Sequence, residues 1–147
     1  MSAANTLERG LLELILNNLN TYVANIGDAT GLRGSSTAGS LYLSLHTADP
    51  GDTGDQTTSE VAYTSYARVA LARDGSKWTV ASDGTGVATG VQSSFPAGTG
   101  GSGTATYFGV GTASSGAGVL LFSGAISPGI VCGNGVTPRV TPTITCD

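Results

Sequence analysis

After residue 40 the apolar residues of this chain change their rhythm. In LYLSLH (41–46), Leu41, Leu43 and Leu45 alternate with Tyr42, Ser44 and His46, the period of a strand with one buried face. Comparable runs follow in YTSYARVALAR (63–73), SKWTVAS (76–82), GVATGVQSSF (86–95), TATYFGVGTA (104–113) and GVLLFSGAI (118–126). GIVCGNGVTPRVTPTIT (129–145) supplies one or two more strands, broken at Gly133–Gly135. Turn signals punctuate the runs: DPGDTGD, RDGS, SDGTG, FPAGTGGSG, SSGAG, SPG and GNG. Short strands between such turns specify an antiparallel sandwich or barrel. We expect a β-sandwich over 41–147, with a jelly roll as one way of connecting its strands. Gly109, Gly111 and Gly124 fall inside strands, which points to bulges or close backbone contacts.

Before the switch the period is helical. Leu7, Leu11, Leu14, Ile15, Tyr22 and Ile26 recur at helical steps, and Leu12, Leu16, Leu19 and Val23 widen the stripe. Asn5 with Glu8 three residues later fits a capping box, and Gly27 fits a left-handed C-terminal cap. The spacing predicts one amphipathic helix over 5–26. The glycine- and serine-rich run 28–40 then reads as a link. This gives three parts: helix (1–27), link (28–40) and β domain (41–147). The apolar stripe is wider than the roughly 100° that one sheet covers. Leu7, Leu11, Leu14, Ile15 and Tyr22 are therefore expected to form an interface with another copy or another protein.

Composition narrows the function. Only 11% of residues are charged, against about 25% in an average domain. Gly, Ser and Thr take the place of the missing charges, with 23 glycines in 147 residues. Interfaces are depleted in charge, so much of this surface is expected to be covered by protein. The six basic residues are scattered and the net charge is −4, which argues against binding nucleic acid, where clustered Lys and Arg displace phosphate counterions. Asn17, Asn18 and Asn20 interrupt the one long apolar run, so it is not a membrane span. Early Glu8, Arg9 and Glu13 are unlike a secretory signal, which suggests synthesis in a cytoplasm. Cys132 and Cys146 read as two reduced thiols in β structure, with a disulfide as the alternative if strands bring them together.

No set of residues assembles into a catalytic or metal site. His46 is the only histidine, and the alternation turns it away from Leu41, Leu43 and Leu45, off the core face. Ser44 shares its face at two strand steps, about 6.6 Å away, but no serine sits in GxSxG. Asp49, Asp52 and Asp55 miss the alternate spacing of an EF-hand, although Glu60 falls twelfth from Asp49. The stronger reading is a turn, with Pro50 setting φ and Gly51 free to take a positive φ. The glycine clusters lack the Lys of a phosphate loop and lead into strands. Trp78, with Tyr42, Tyr63, Tyr66 and Tyr107, would make a sugar platform if exposed, but a single Trp among strands reads first as core. We expect no catalytic residue, no cofactor and no metal ligand.

The stretch LYLSLHTADPGDTGDQTTSEVAYTSYARVAL resembles a segment of small virion proteins of tailed bacteriophages. Their signature is a strand ending in LHTADPG, an acidic turn, a short segment with Glu, then YxxYARVA. SSFPAGTGGSGTATYFGVGTASSGAGVLLFSGAIS is similar to the same family, so the resemblance covers about residues 41–127. Members carry labels such as head decoration, minor tail or tail fibre protein. The resemblance implies a virion structural protein with no catalytic residues to carry over. With the low charge, it leads us to expect a capsid decoration (cement) protein. Such a protein would bind the outer capsid surface through the major capsid protein and its own copies, as dimer or trimer, and bridge capsomers. A tail fibre or minor tail protein is the first alternative, and a carbohydrate-binding module the second.

Overall fold

The computed structural model describes residues 4–19, 37–83 and 85–146. The elements in chain order are α1 (Asn5–Asn17), β1 (Ser40–His46), β2 (Val69–Ala72), β3 (Trp78–Val80), β4 (Val87–Gly90), β5 (Ser93–Ser94), β6 (Ser102–Gly111), β7 (Leu120–Gly133), β8 (Arg139–Val140) and β9 (Thr143–Thr145). The fold is mainly β behind one N-terminal helix, as the periodicity requires. The strands divide among a four-stranded sheet of order β2-β1-β6-β7, a three-stranded sheet β3-β4-β9 and a β5-β8 pair. The chain condenses into two compact units, the first containing α1, β3, β4 and β9, the second most of β1 and β2 with β5 to β8.

In the first unit α1 packs on β3 and β4. The helix buries Leu12 and Leu16, and the sheet contributes Trp78, Ala88 and Ile144 to the core. The helix is shorter than the apolar period suggested. It ends at Asn17, with Asn18 left-handed at φ 56°. Asn tolerates that conformation better than other non-glycine residues. Arg73 then closes the end: Nε donates to the Ile15 carbonyl at 2.6 Å and Nη2 to that of Leu14 at 2.7 Å. These are among the last-turn carbonyls that no intrahelical N–H reaches, and a cation suits their dipole. The N-terminus also departs from expectation. Ala4 is the N-cap, with no side-chain cap bond, so Asn5 is the first helical residue and not the cap. Val23, Ile26, the predicted Gly27 cap and most of the 28–40 link lie outside the described residues.

In the second unit β1 is an interior strand paired to β6, with Leu43 opposite Val110 and Leu45 opposite Phe108. Leu41, Leu43, Leu45, Leu71, Phe108 and Val110 form the apolar side of this sheet's core. The run 63–73 is a strand only at Val69–Ala72; Ser65 takes φ 78° and the residues before Val69 form a loop. The SPG signal does not end a strand. Tyr107 pairs with Ala125 and Ala105 with Ile130, so residues 126–129 bulge out opposite Thr106 while β7 continues. The turn residues act here as an insertion into the ladder.

Candidate functional site

The LHTADPG segment begins with the last two residues of β1, buried Leu45 and His46, and runs on into an exposed turn at Thr47–Asp49. The chain leaves β1, turns, and returns to pair with its end: Thr47 N–H donates to the Ser59 carbonyl at 2.7 Å and Val61 N–H to the Leu45 carbonyl at 3.0 Å. The turn is built as the sequence reads. Gly51 has φ 68°, its N–H donates to Asp49 Oδ1 at 2.9 Å, and Thr57 N–H donates to Asp55 Oδ1 at 2.7 Å. Among the described residues no three His, Cys, Asp or Glu side chains gather as a metal would require.

The returning loop covers the second face of β1, and this overturns one expectation. His46 does point away from the leucines, yet it is 0% exposed, as are Ser44 and Gln56. The alternation placed the side chain correctly; it carried no information about a loop folding over that face. Glycines make the space. Gly109 stands opposite Ser44 in the ladder, and a Cβ there would meet His46 Nε2 at 2.6 Å and Ser44 Oγ at 2.7 Å. A Cβ on Gly111 would meet the Gln56 side chain at 2.2 Å. The alternating glycines of FGVG form a trough that holds a polar layer.

That layer is hydrogen-bonded throughout, as burial demands. His46 Nδ1 lies 2.8 Å from the Thr58 carbonyl oxygen. A carbonyl only accepts, so Nδ1 carries the proton in the neutral ring, and Nε2 accepts from Ser44 Oγ at 2.8 Å. Burial holds the His46 pKa below its usual 6.5 and favours the neutral form. A nucleophile, a base and an orienting acceptor are thus in line, with a backbone carbonyl where a triad has a carboxylate. The pair has no exposed surface to offer a substrate, and what it does here is tie loop to strand. Gln56 completes the layer, with Oε1 accepting from Ala113 N–H at 2.9 Å.

Next to it lies a second cluster that sequence reading missed. Arg68 Nε donates to Glu60 Oε1 at 2.7 Å and Nη2 to Oε2 at 2.8 Å. Its remaining donors reach the carbonyls of Ala113, Gln56 and Gly116 at 2.8–3.0 Å. Tyr66 Oη donates to Glu60 Oε1 at 2.8 Å and accepts from Leu45 N–H at 3.1 Å. Burial and the Glu60 charge hold the Tyr66 phenol protonated, well above its usual value. One guanidinium therefore fastens the returning loop (56–60) to the 112–119 loop. The signal was present in the sequence as an isolated Glu and Arg in a chain with few charges.

The residues read as an interface lie on α1. Leu7 is 37% exposed, and Leu11, Leu14 and Ile15 are half-buried; Tyr22 lies outside the described residues. The face that α1 turns to its own sheet is carried instead by Leu12 and Leu16. Trp78, at 1% exposure, and Tyr63, at 2%, are core residues, which removes the centre of the sugar platform. Tyr63 donates to the Pro96 carbonyl at 2.8 Å, and burial pushes its pKa up to about 12. Cys132 and Cys146 are both free thiols.

Comparison with curated proteins returns no match. A family model described as podophage GP4 fiber I protein gp80 matches residues 3–142, which is nearly the whole chain. On that match the chain belongs to the podophage GP4 fiber I protein gp80 family.

Proposed function

We propose that this chain, a phage virion structural protein, serves in the fibre of a podophage particle and acts by packing rather than by catalysis. The observation that carries the reading is the fibre description of the family matched over residues 3–142. The partly exposed apolar side of α1 is where it meets a second copy or the next protein of the virion. Leu7, Leu11, Leu14 and Ile15 supply apolar area there, beside the buried Leu12 and Leu16.

A second reading is capsid decoration, with the major capsid protein as partner. It is favoured by the low charge, 11% of residues, which suits a protein covered on several sides. Copy number and position separate the two. Immunogold labelling of intact particles, with quantitative gel analysis of copies per particle, should find few copies, placed on the tail. Hundreds of copies spread over the head would replace the fibre reading with decoration. Leu11→Asp with Leu14→Asp tests the interface in either case: incorporation into particles should fall while the isolated chain stays folded.

A further inference from the structure

The turn signal GNG contains the chain's single Asn–Gly pair, Asn134–Gly135. In such a pair the side-chain amide is open to attack from the next backbone nitrogen, because glycine has no side chain to stand in the way. Both residues are exposed. A Cβ built on Gly135 would meet nothing within 4 Å, so the space around the pair is open. Among the described residues the Asn134 carboxamide has no hydrogen-bond partner.

The electrophile is therefore unrestrained, but the nucleophile is held. The Gly135 N–H donates to the Gly98 carbonyl at 2.8 Å, and the Gly98 N–H donates to the Val136 carbonyl at 2.9 Å. Gly98 is itself buried. The Val136 N–H closes the turn on the Gly133 carbonyl at 3.1 Å. Gly135, third of these four residues, has φ 75°, which is the pattern of a type II turn. The second residue of that turn has ψ near about +120°. A flat five-membered ring joining the Asn134 side chain to the Gly135 nitrogen needs the opposite sign of ψ, since only there does that nitrogen eclipse Cβ of an L-residue. The closed turn thus occupies the nitrogen and also points it away from the carboxamide carbon.

We propose that Asn134 is a succinimide-forming modification site that the fold keeps closed, reacting only from conformers in which the Gly135 N–H has left the Gly98 carbonyl. In the open turn hydroxide removes the Gly135 amide proton. The nitrogen attacks Asn134 Cγ, and the C–N bond of the carboxamide breaks to release ammonia. Water then opens the ring at either carbonyl and gives aspartate or isoaspartate; nothing is oxidised or reduced. Either product puts a negative charge into a run, Gly84 to Pro138, that has none. Isoaspartate also routes the main chain through the former side chain and lengthens it by a methylene. The closed pairing has no room for that, since even a Cβ on Gly98 would clash with the Gly133 carbonyl oxygen. Modification therefore prevents the turn from closing again, and the isoaspartate content of an aged preparation records how often this turn has opened. The inference is independent of where on the virion the chain sits.

The test ages the intact protein in mildly alkaline buffer, folded and in urea, and follows each asparagine by peptide mapping with mass spectrometry. In urea Asn134 should react first among the asparagines and give both aspartate and isoaspartate. In the folded protein it should react about tenfold slower or more, because opening a hydrogen-bonded, packed segment populates only a minor state. Hydrogen exchange measures the same opening independently: the Gly135 amide should be protected by the factor that slows Asn134, within about threefold. Equal rates at Asn134 in the folded and unfolded chain would overturn the proposal. So would aspartate without isoaspartate, which is the product of direct hydrolysis without a ring. A larger disagreement between amide protection and the slowing of Asn134 would place the gate at another contact and overturn it as well.

Discussion

The Arg68 guanidinium holds Glu60 with both sides of its fork, Nε at 2.7 Å from Oε1 and Nη2 at 2.8 Å from Oε2, and the Arg68 side chain is only 2% exposed. A cation so placed has value only while its partner is present. Removing one side leaves a buried charge or a set of carbonyls without donors, which costs about 3–5 kcal/mol. Arg68→Met should therefore lower the melting temperature by on the order of ten degrees. Arg68→Lys should recover little of it, because an ammonium cannot reproduce the fork. A melt of Arg68→Met within a degree or two of wild type would show that the cluster is dispensable.

The buried imidazole predicts a pH dependence. In the folded chain the His46 pKa is held below 6.5 by burial. Between those two values the unfolded chain binds more protons than the folded one. Stability is therefore complete above about pH 6.5 and declines as pH falls through the folded value. Urea midpoints at about pH 7.5 and pH 5.5 should differ for wild type, and His46→Gln should flatten the difference across that window. An equal slope in the variant would assign the effect to other groups.

The glycine trough makes a paired prediction. Gly109→Ala drives a methyl into His46 Nε2 and Ser44 Oγ, whereas a methyl on Gly103 of the same strand meets nothing within 4 Å. The first change should cost about 1–3 kcal/mol, typical of overpacking, and the second should be neutral or slightly stabilising. Chemical denaturation of the two variants side by side decides this.

The helix separates core from interface. Leu16→Ala, at a residue 0% exposed, should cost about 2–5 kcal/mol. Leu7→Asp, at a residue 37% exposed, should leave the melting temperature within a few degrees. Circular dichroism melts suffice, and a collapse of Leu7→Asp would mean that this side of α1 is needed to fold the chain.

The thiols should differ in reactivity. Cys132 is buried and burial raises its pKa, while Cys146 is half-buried. Thiolate is the reactive form, so brief alkylation of the native protein should label Cys146 first. Peptide mass spectrometry reads the order, and Cys132 should label only on unfolding.

How much of this was legible beforehand depended on the range of the interaction concerned. Alternation in LYLSLH and the helical spacing of the leucines fixed the element types, because each depends on side chains a few residues apart. The acidic turn followed for the same reason: Pro50, Gly51 and the Asx bonds of Asp49 and Asp55 are local. The helix stop at Asn18 was present in LNNLN, but an Asn signal is weaker than a Gly one, and the apolar residues beyond it outweighed it. What the chain does with Arg68, Glu60, His46 and Gln56 could not be read this way. His46 finds Thr58, Arg68 finds Gly116, and Arg73 finds Ile15 only after distant segments have packed. A local pattern says which face a side chain occupies, but only the tertiary structure decides whether that face is solvent or a second core, since that depends on loops whose paths are set by non-local hydrogen bonds and by glycines that leave them room.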